Sequence, residues 1–314
     1  MRTNFQHRSY HSRILALLKY FRKHWFFYLL TFPGIVMIIV FYYSPMYGLL
    51  IVFKNYKFSK GILGSPWVGF DNFRVIFQEK EFYKVLLNTI YINLVNITFG
   101  FAFVIFLALM INEVKVGWIR RTIQTAVYLP HFISWVVYAG LVTLFLSPSD
   151  GVINKIIQAF GGEPVYFLIS NQHFRWIIVI SSLLKNAGYS TIIYLAALTG
   201  VNPELYECAI IDGAHRGHLL WYISLPRIKP TIAVLAIMNT TSLFSSNFEQ
   251  VFNLYSPVVY ETGDVLSTYI YRTGIMEGMF EQAAALGTIF SIIGLINIII
   301  TNKFVKKMDV TGIF

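Results

Sequence analysis

Few side chains in this 314-residue sequence are of a type that could do chemistry, and they lie inside or beside long apolar runs. Lys185 stands within one such run, where a charge costs about 2.5–3.5 kcal/mol unless it faces a cavity or finds a partner. It could meet solute hydroxyls or carboxylates in a pathway, or pair with backbone carbonyls or a neighbouring subunit. Asn186 and Gly188 beside it add a polar edge and a point of helix irregularity. A second group, Asn239, Ser242, Ser246 and Gln250, falls on one helical stripe, with Asn247 alongside and Phe248 close by. Amides bind hydroxyls and rings stack on the apolar faces of sugars, so this stripe suits a hydrated pathway; helix packing by small polar residues is the competing use. The third group, between residues 203 and 226, is mixed in character: Glu204, Glu207 and Asp212 precede Gly213, and His215, Arg216 and His218 follow it.

This inventory supports recognition and motion, not covalent catalysis. The seven histidines show no metal-ligand spacing, and the single cysteine, Cys208, excludes an internal disulfide. The phosphate-cradling pattern GxxxxGK[ST] is absent from the sequence, so any ATP used must be hydrolysed by another polypeptide. Neither a catalytic residue, a metal nor a cofactor is expected in the chain itself.

The elements that must position these groups are membrane helices. Hydrophobic residues make up 56% and charged residues 13% of the chain, with mean hydropathy +0.60; a soluble domain carries about 25% charged residues. The +10 net charge comes from basic residues flanking apolar runs, which argues for a membrane surface and against nucleic acid. Six spans of about 20 residues are expected: 26–43 (extending as far as 53), 86–111, 123–146, 175–198, 232–252 and 283–304. Residues 1–24 form a basic tail carrying Arg2, Arg8, Arg13, Lys19, Arg22 and Lys23, and 25–314 form the membrane domain. The first apolar run is long and lacks a small-residue cleavage site, so no signal peptide is expected. Lys and Arg in the tail, in loops 112–122 and 201–231 and at the C-terminal end place both termini and the 203–226 segment in the cytoplasm. Residues 54–85 and 147–174 are then outer loops. The first should contain a short helix capped by Asp71, and the second an amphipathic helix over 152–160. Ala283, Gly287 and Ser291, spaced by four, read as a helix-packing stripe.

Local signals make 203–226 a helical hairpin. Asn202 can cap, Pro203 suits a first helical position, and Glu204 and Glu207 favour the positive end of the helix dipole. Gly213 can adopt the left-handed conformation that stops the first helix, and Pro226 should end the second.

Glu207-Cys208-Ala209, Gly213, Ile223 and Leu225-Pro226 stand at offsets that resemble the EAA loop of ABC importer permeases. Cys208 departs from the alanine usual there. IIYLAALTGVNPELYECAIIDGA, LPHFISWVV, NLYSPVVYETGDVLSTYIYRTG and the Gly69, Asn72, Phe73 element look like permeases of the carbohydrate-uptake branch, in particular those for polysaccharide fragments such as uronate-rich alginate. The resemblance implies an all-α, six-span permease in a bacterial cytoplasmic membrane. It further implies a second permease as heterodimer partner, two ATPase subunits holding ATP and Mg, and an external solute-binding protein. Glu207, Cys208, Ala209, Asp212, Gly213, Ile223, Leu225 and Pro226 would couple the permease to its ATPase, and transport would proceed by alternating access. An ion-coupled carrier would want paired acids or broken helices at mid-depth, and a membrane glycosyltransferase clustered carboxylates or a metal; the spans offer little acid and no such cluster.

Overall fold

A computed structural model of the protein describes residues 19, 20, 22–244 and 248–306. Their regular structure is helical, apart from an isolated bridge between Lys54 and Trp67. The described residues form two compact units, one up to Gly69 and one from Phe70 on.

In the first unit α1 (Trp25–Phe53) is one long apolar helix whose side chains from Trp25 to Tyr43 are exposed, as lipid-facing side chains are. It widens to π geometry over Ile39–Tyr43, just before Pro45, and tightens to 3-10 geometry over Tyr47–Phe53. Beyond it the chain folds back on itself. Lys54 Nζ donates to the carbonyls of Leu63 (3.1 Å) and Ser65 (3.3 Å), and Phe53 stacks on Trp67.

The second unit opens with α2 (Asp71–Gln78). Phe70 occupies its cap position and Asp71 the first turn, so Asp71 acts on the helix dipole and is not the capping residue expected. Two long helices then carry the unit: α3 (Lys80–Glu113) and α7 (Asn171–Thr199). They pack along each other through two apolar cores. One gathers Ile92, Phe174, Ile178 and Val251; the other gathers Val104, Ala108, Tyr194, Leu198 and Ile228. Between them lie α4 (Gly117–Tyr128), α5 (Trp135–Leu146) and α6 (Val152–Ala159), the last being the expected amphipathic helix. After α7 come α8 (Pro203–Ile211), α9 (Arg216–Thr240), α10 (Phe248–Leu254), α11 (Leu266–Tyr271) and α12 (Phe280–Lys306). Helices α1, α3, α7, α9 and α12 are long and apolar enough to cross a membrane; Gly117–Phe132 with Trp135–Leu146 makes a sixth crossing if taken as one broken span.

Three further expectations need correction. The third span is not straight: its halves meet at 108°. A 3-10 turn over Leu129–Phe132 runs into extended Ile133 and Ser134, and the Ser134 hydroxyl accepts from the Val137 N–H to start α5. The helix that carries the fifth span is 216–240, not 232–252, so the polar run after Thr240 lies beyond its end. Pro226 does not end the second arm of the hairpin. The helix passes through both Pro226 and Pro230, because π-turns over Leu219–Ser224 re-pair the backbone just ahead of the first proline's missing N–H.

Candidate functional site

The hairpin forms as its caps dictate. Asn202 Oδ1 accepts from the Glu204 N–H at 3.1 Å, and Pro203 opens α8. At the other end Gly213 takes φ +84°, its N–H donates to the Ile210 carbonyl at 3.0 Å, and the Ala214 N–H reaches the Ala209 carbonyl at 2.9 Å. These two bonds make a Schellman closure. The Tyr206 and Ser224 hydroxyls, 3.0 Å apart, tie the two arms together. Glu207, Cys208, Asp212 and Gly213 are exposed, while Ala209, Ile223, Leu225 and Pro226 are half-buried. Ile210 and Ile211 project into the open at 57% and 84% exposure.

Lys185 is buried inside the second unit, 4% exposed. Its ammonium donates to the carbonyls of Pro130 and His131 at 3.0 Å each and to that of Ile133, and it lies 5.1 Å from the Trp135 ring centroid. Of the two roles open to it, the geometry favours pairing: its donors reach carbonyls at the break in the third span, sharing that of Pro130 with the Ile133 N–H. Next to it, Gly188 lets α4 approach closely. A Cβ at that position would stand 2.0 Å from the Val127 carbonyl oxygen.

A cavity of about 340 Å³ lies between α3, α7 and α9. Its polar lining is Asn93, Asn96, Ser182, Asn186, Ser190, Asn239 and Gln250, and its rings are Phe101, Tyr189 and Tyr194. Neither Lys185 nor any other ionised side chain contributes to this lining. Of the polar stripe singled out for a pathway, the structure brings Asn239 and Gln250 here, together with Asn186 from beside Lys185. Phe248 sits apart, stacked on Phe252 at 5.0 Å and beside Tyr271. Ser242 lies in a 3-10 turn, and Ser246 and Asn247 fall outside the described residues. Asn93, Asn96, Tyr189 and Ser190 were not singled out from the sequence, since single polar residues in apolar runs show no period.

A second polar network, also unforeseen, joins α3 and α7 to the segment before α11. Asp264 is fully buried, 2.7 Å from the Arg272 guanidinium, and accepts from the Thr268 hydroxyl at 2.7 Å. Burial pushes the Asp264 carboxyl up; Thr268 and Arg272 pull it back only in part. Asn88 donates to the Asp264 and Glu261 carbonyls and accepts from Arg175 at 2.7 Å. Among the described residues no group of three or more His, Cys, Asp or Glu is placed to hold a metal ion.

Residues 85–310 match the family described as binding-protein-dependent transport system inner membrane component, and the chain belongs to that family. It is a permease subunit of an ABC importer, not an enzyme, and ATP hydrolysis resides in a separate subunit. Among its relatives is the polygalacturonan/rhamnogalacturonan transport system permease protein YteP of Bacillus subtilis (strain 168), 38% identical over 92% of this chain and 90% of that protein. Protein LplB of the same organism is 40% identical over 96% of this chain and 93% of its own length. Among solved structures, a chain of a bacterial ABC transporter involved in the import of the acidic polysaccharide alginate superposes with TM-score 0.85 at 41% identity, covering 94% of this chain and 99% of that one. The same likeness holds for that transporter in complex with an alginate pentasaccharide-bound periplasmic protein.

Proposed function

We propose that this permease moves oligosaccharide fragments of acidic polysaccharides into the cytoplasm, with the α3–α7–α9 cavity as its share of the pathway. The observation that carries this is the lining: amides and hydroxyls for sugar oxygens, and tyrosine and phenylalanine rings for sugar faces. The substrate class follows the relatives, one named for polygalacturonan and rhamnogalacturonan and another importing alginate. Because the lining is uncharged, this subunit selects hydroxyls, and recognition of carboxylates falls to the second permease of the heterodimer or to the solute-binding protein. Lys185 serves the pathway at one remove, by holding the broken span.

In this reading both termini and the 203–226 hairpin are cytoplasmic, in a bacterial cytoplasmic membrane. The residues from Glu207 to Pro226 dock on one of two ATPase subunits, which hold ATP and Mg. The exposed Ile210 and Ile211 support the docking, since apolar side chains at a hairpin tip are suited to a protein partner. ATP binding closes the ATPases, the hairpin transmits the motion, and the cavity alternates between the two sides.

The test combines topology and uptake. A cysteine at Ser149 should react with an impermeant maleimide from outside while Cys208 does not. The reconstituted transporter should take up oligogalacturonate or alginate oligosaccharide in preference to neutral maltodextrin. Labelling of Cys208 from outside would remove the docking argument; equal uptake of neutral chains would remove the acidic-sugar assignment.

A further inference from the structure

The stretch LPHFISWVV is the break in the third span, and its histidine touches two groups of the cavity. The His131 ring stacks on Tyr189, with centroids 4.1 Å apart and planes within 7°. Its Nδ1 lies 3.2 Å from Asn186 Oδ1. The Asn186 amide is oriented independently, because its Nδ2 donates to the Ser182 carbonyl at 3.1 Å. Its oxygen therefore faces His131, and His131 Nδ1–H is the donor. His131 is itself fixed from behind, since its carbonyl accepts from Lys185. Asn186 and Tyr189 both line the cavity; His131 does not.

We propose that His131 is a positioning residue for transport: it holds the Asn186 amide and the Tyr189 ring in the orientations that receive the solute, and Lys185 anchors it to the broken span. The inference rests on the cavity being the solute pathway. Without His131 the Asn186 amide is free to turn over and the Tyr189 ring to leave its plane, so solute is held less well although the helices stay in place. Chain order carries the same point. His131 and Asn186 are 55 residues apart, yet this one histidine joins the backbone of the break to the cavity face of the fourth span.

The test uses the complete reconstituted transporter with its binding protein, and oligogalacturonate and alginate oligosaccharide as probes. The readout is solute taken up per ATP hydrolysed, which a merely structural defect leaves unchanged because it lowers both together. His131→Phe keeps the stacked ring and loses the Nδ1–H donor. One neutral hydrogen bond to a solute-holding group is worth a change of about threefold to tenfold, so the ratio should fall by that much while binding-protein-stimulated ATP hydrolysis persists. His131→Asn, which can keep a donor but loses the ring, should fall less than His131→Ala, which loses both. Should His131→Phe fail to assemble, the His131→Asn ratio decides in its place, and a wild-type ratio there overturns the proposal. Asn239→Ala, on α9, reports the cavity itself. If Asn239→Ala lowers the ratio and the His131 variants do not, the pathway stands and the role of His131 is overturned. If Asn239→Ala has no effect, the pathway reading falls and this inference with it. A proportional loss of uptake and hydrolysis in the His131 variants also overturns it.

Discussion

Lys185 Nζ stands 3.0 Å from the carbonyl oxygen of Pro130, joining two helices at the point where one of them is broken. A broken helix leaves carbonyls without intrahelical partners, and an unmet buried carbonyl costs about 1–3 kcal/mol. The ammonium meets those of His131 and Ile133 and shares that of Pro130 with the Ile133 N–H, so its own burial and theirs offset each other. Lys185→Met keeps the length and removes every donor. The variant should lose a few kcal/mol of stability, seen as a lowered Tm of the detergent-solubilised transporter, with Lys185→Gln retaining part of it through its amide. A Lys185→Met protein as stable as the parent would show that the carbonyls find other partners.

Gly188 and Gly287 make a matched pair on two spans. A methyl at Gly188 collides with the Val127 backbone, whereas a methyl at Gly287 meets nothing within 4 Å. Gly188→Ala must push α4 and α7 apart and should cost about 1–3 kcal/mol, while Gly287→Ala should be neutral within this chain. Thermal unfolding of the two variants side by side measures the difference. The Gly287 result also bears on the small-residue stripe of α12, of which only Ala283 is buried.

Arg272 neutralises the fully buried Asp264. Arg272→Met strands that carboxylate, and removing one partner of a buried pair costs about 3–5 kcal/mol. Adding Asp264→Asn should recover much of the loss, because the amide carries no charge to strand. Equal instability of the single and double variants, in a double-mutant cycle on Tm, would mean the pair acts only through packing.

Gly213 holds φ +84°, which costs a residue with a Cβ about 1–2 kcal/mol. Gly213→Val should distort the closure of α8 while leaving the spans in the membrane. In the proposed coupling role, uptake per ATP hydrolysed then falls although the complex still assembles. Normal coupling in that variant would move the contact with the ATPase elsewhere.

The sequence alone determined the class of the molecule, because that follows from counting and from short-range rules. Long apolar runs force helices, since lipid offers no partner for an open backbone, and they became five long apolar helices, with a sixth crossing if the broken pair is one span. The hairpin was legible to the residue at its start and its turn: an Asn cap, a proline in the first turn and a glycine that must turn left all act within a few positions. The EAA-like offsets carried the family for the same reason.

What only the tertiary structure decided lies where distant segments meet. Pro226 reads locally as a stop, yet the helix runs on, because widened turns re-pair its backbone and packing of the buried Ile228 holds it. The third span reads as one run over 123–146, but a lysine 55 residues after Pro130 pairs with a full break there. The polar stripe was drawn on a fifth span that ends at Thr240, so Asn239 reaches the cavity while Phe248 belongs to another cluster. Lys185 could not be assigned from its depth alone. A buried charge announces that it has a partner, and only the fold says which.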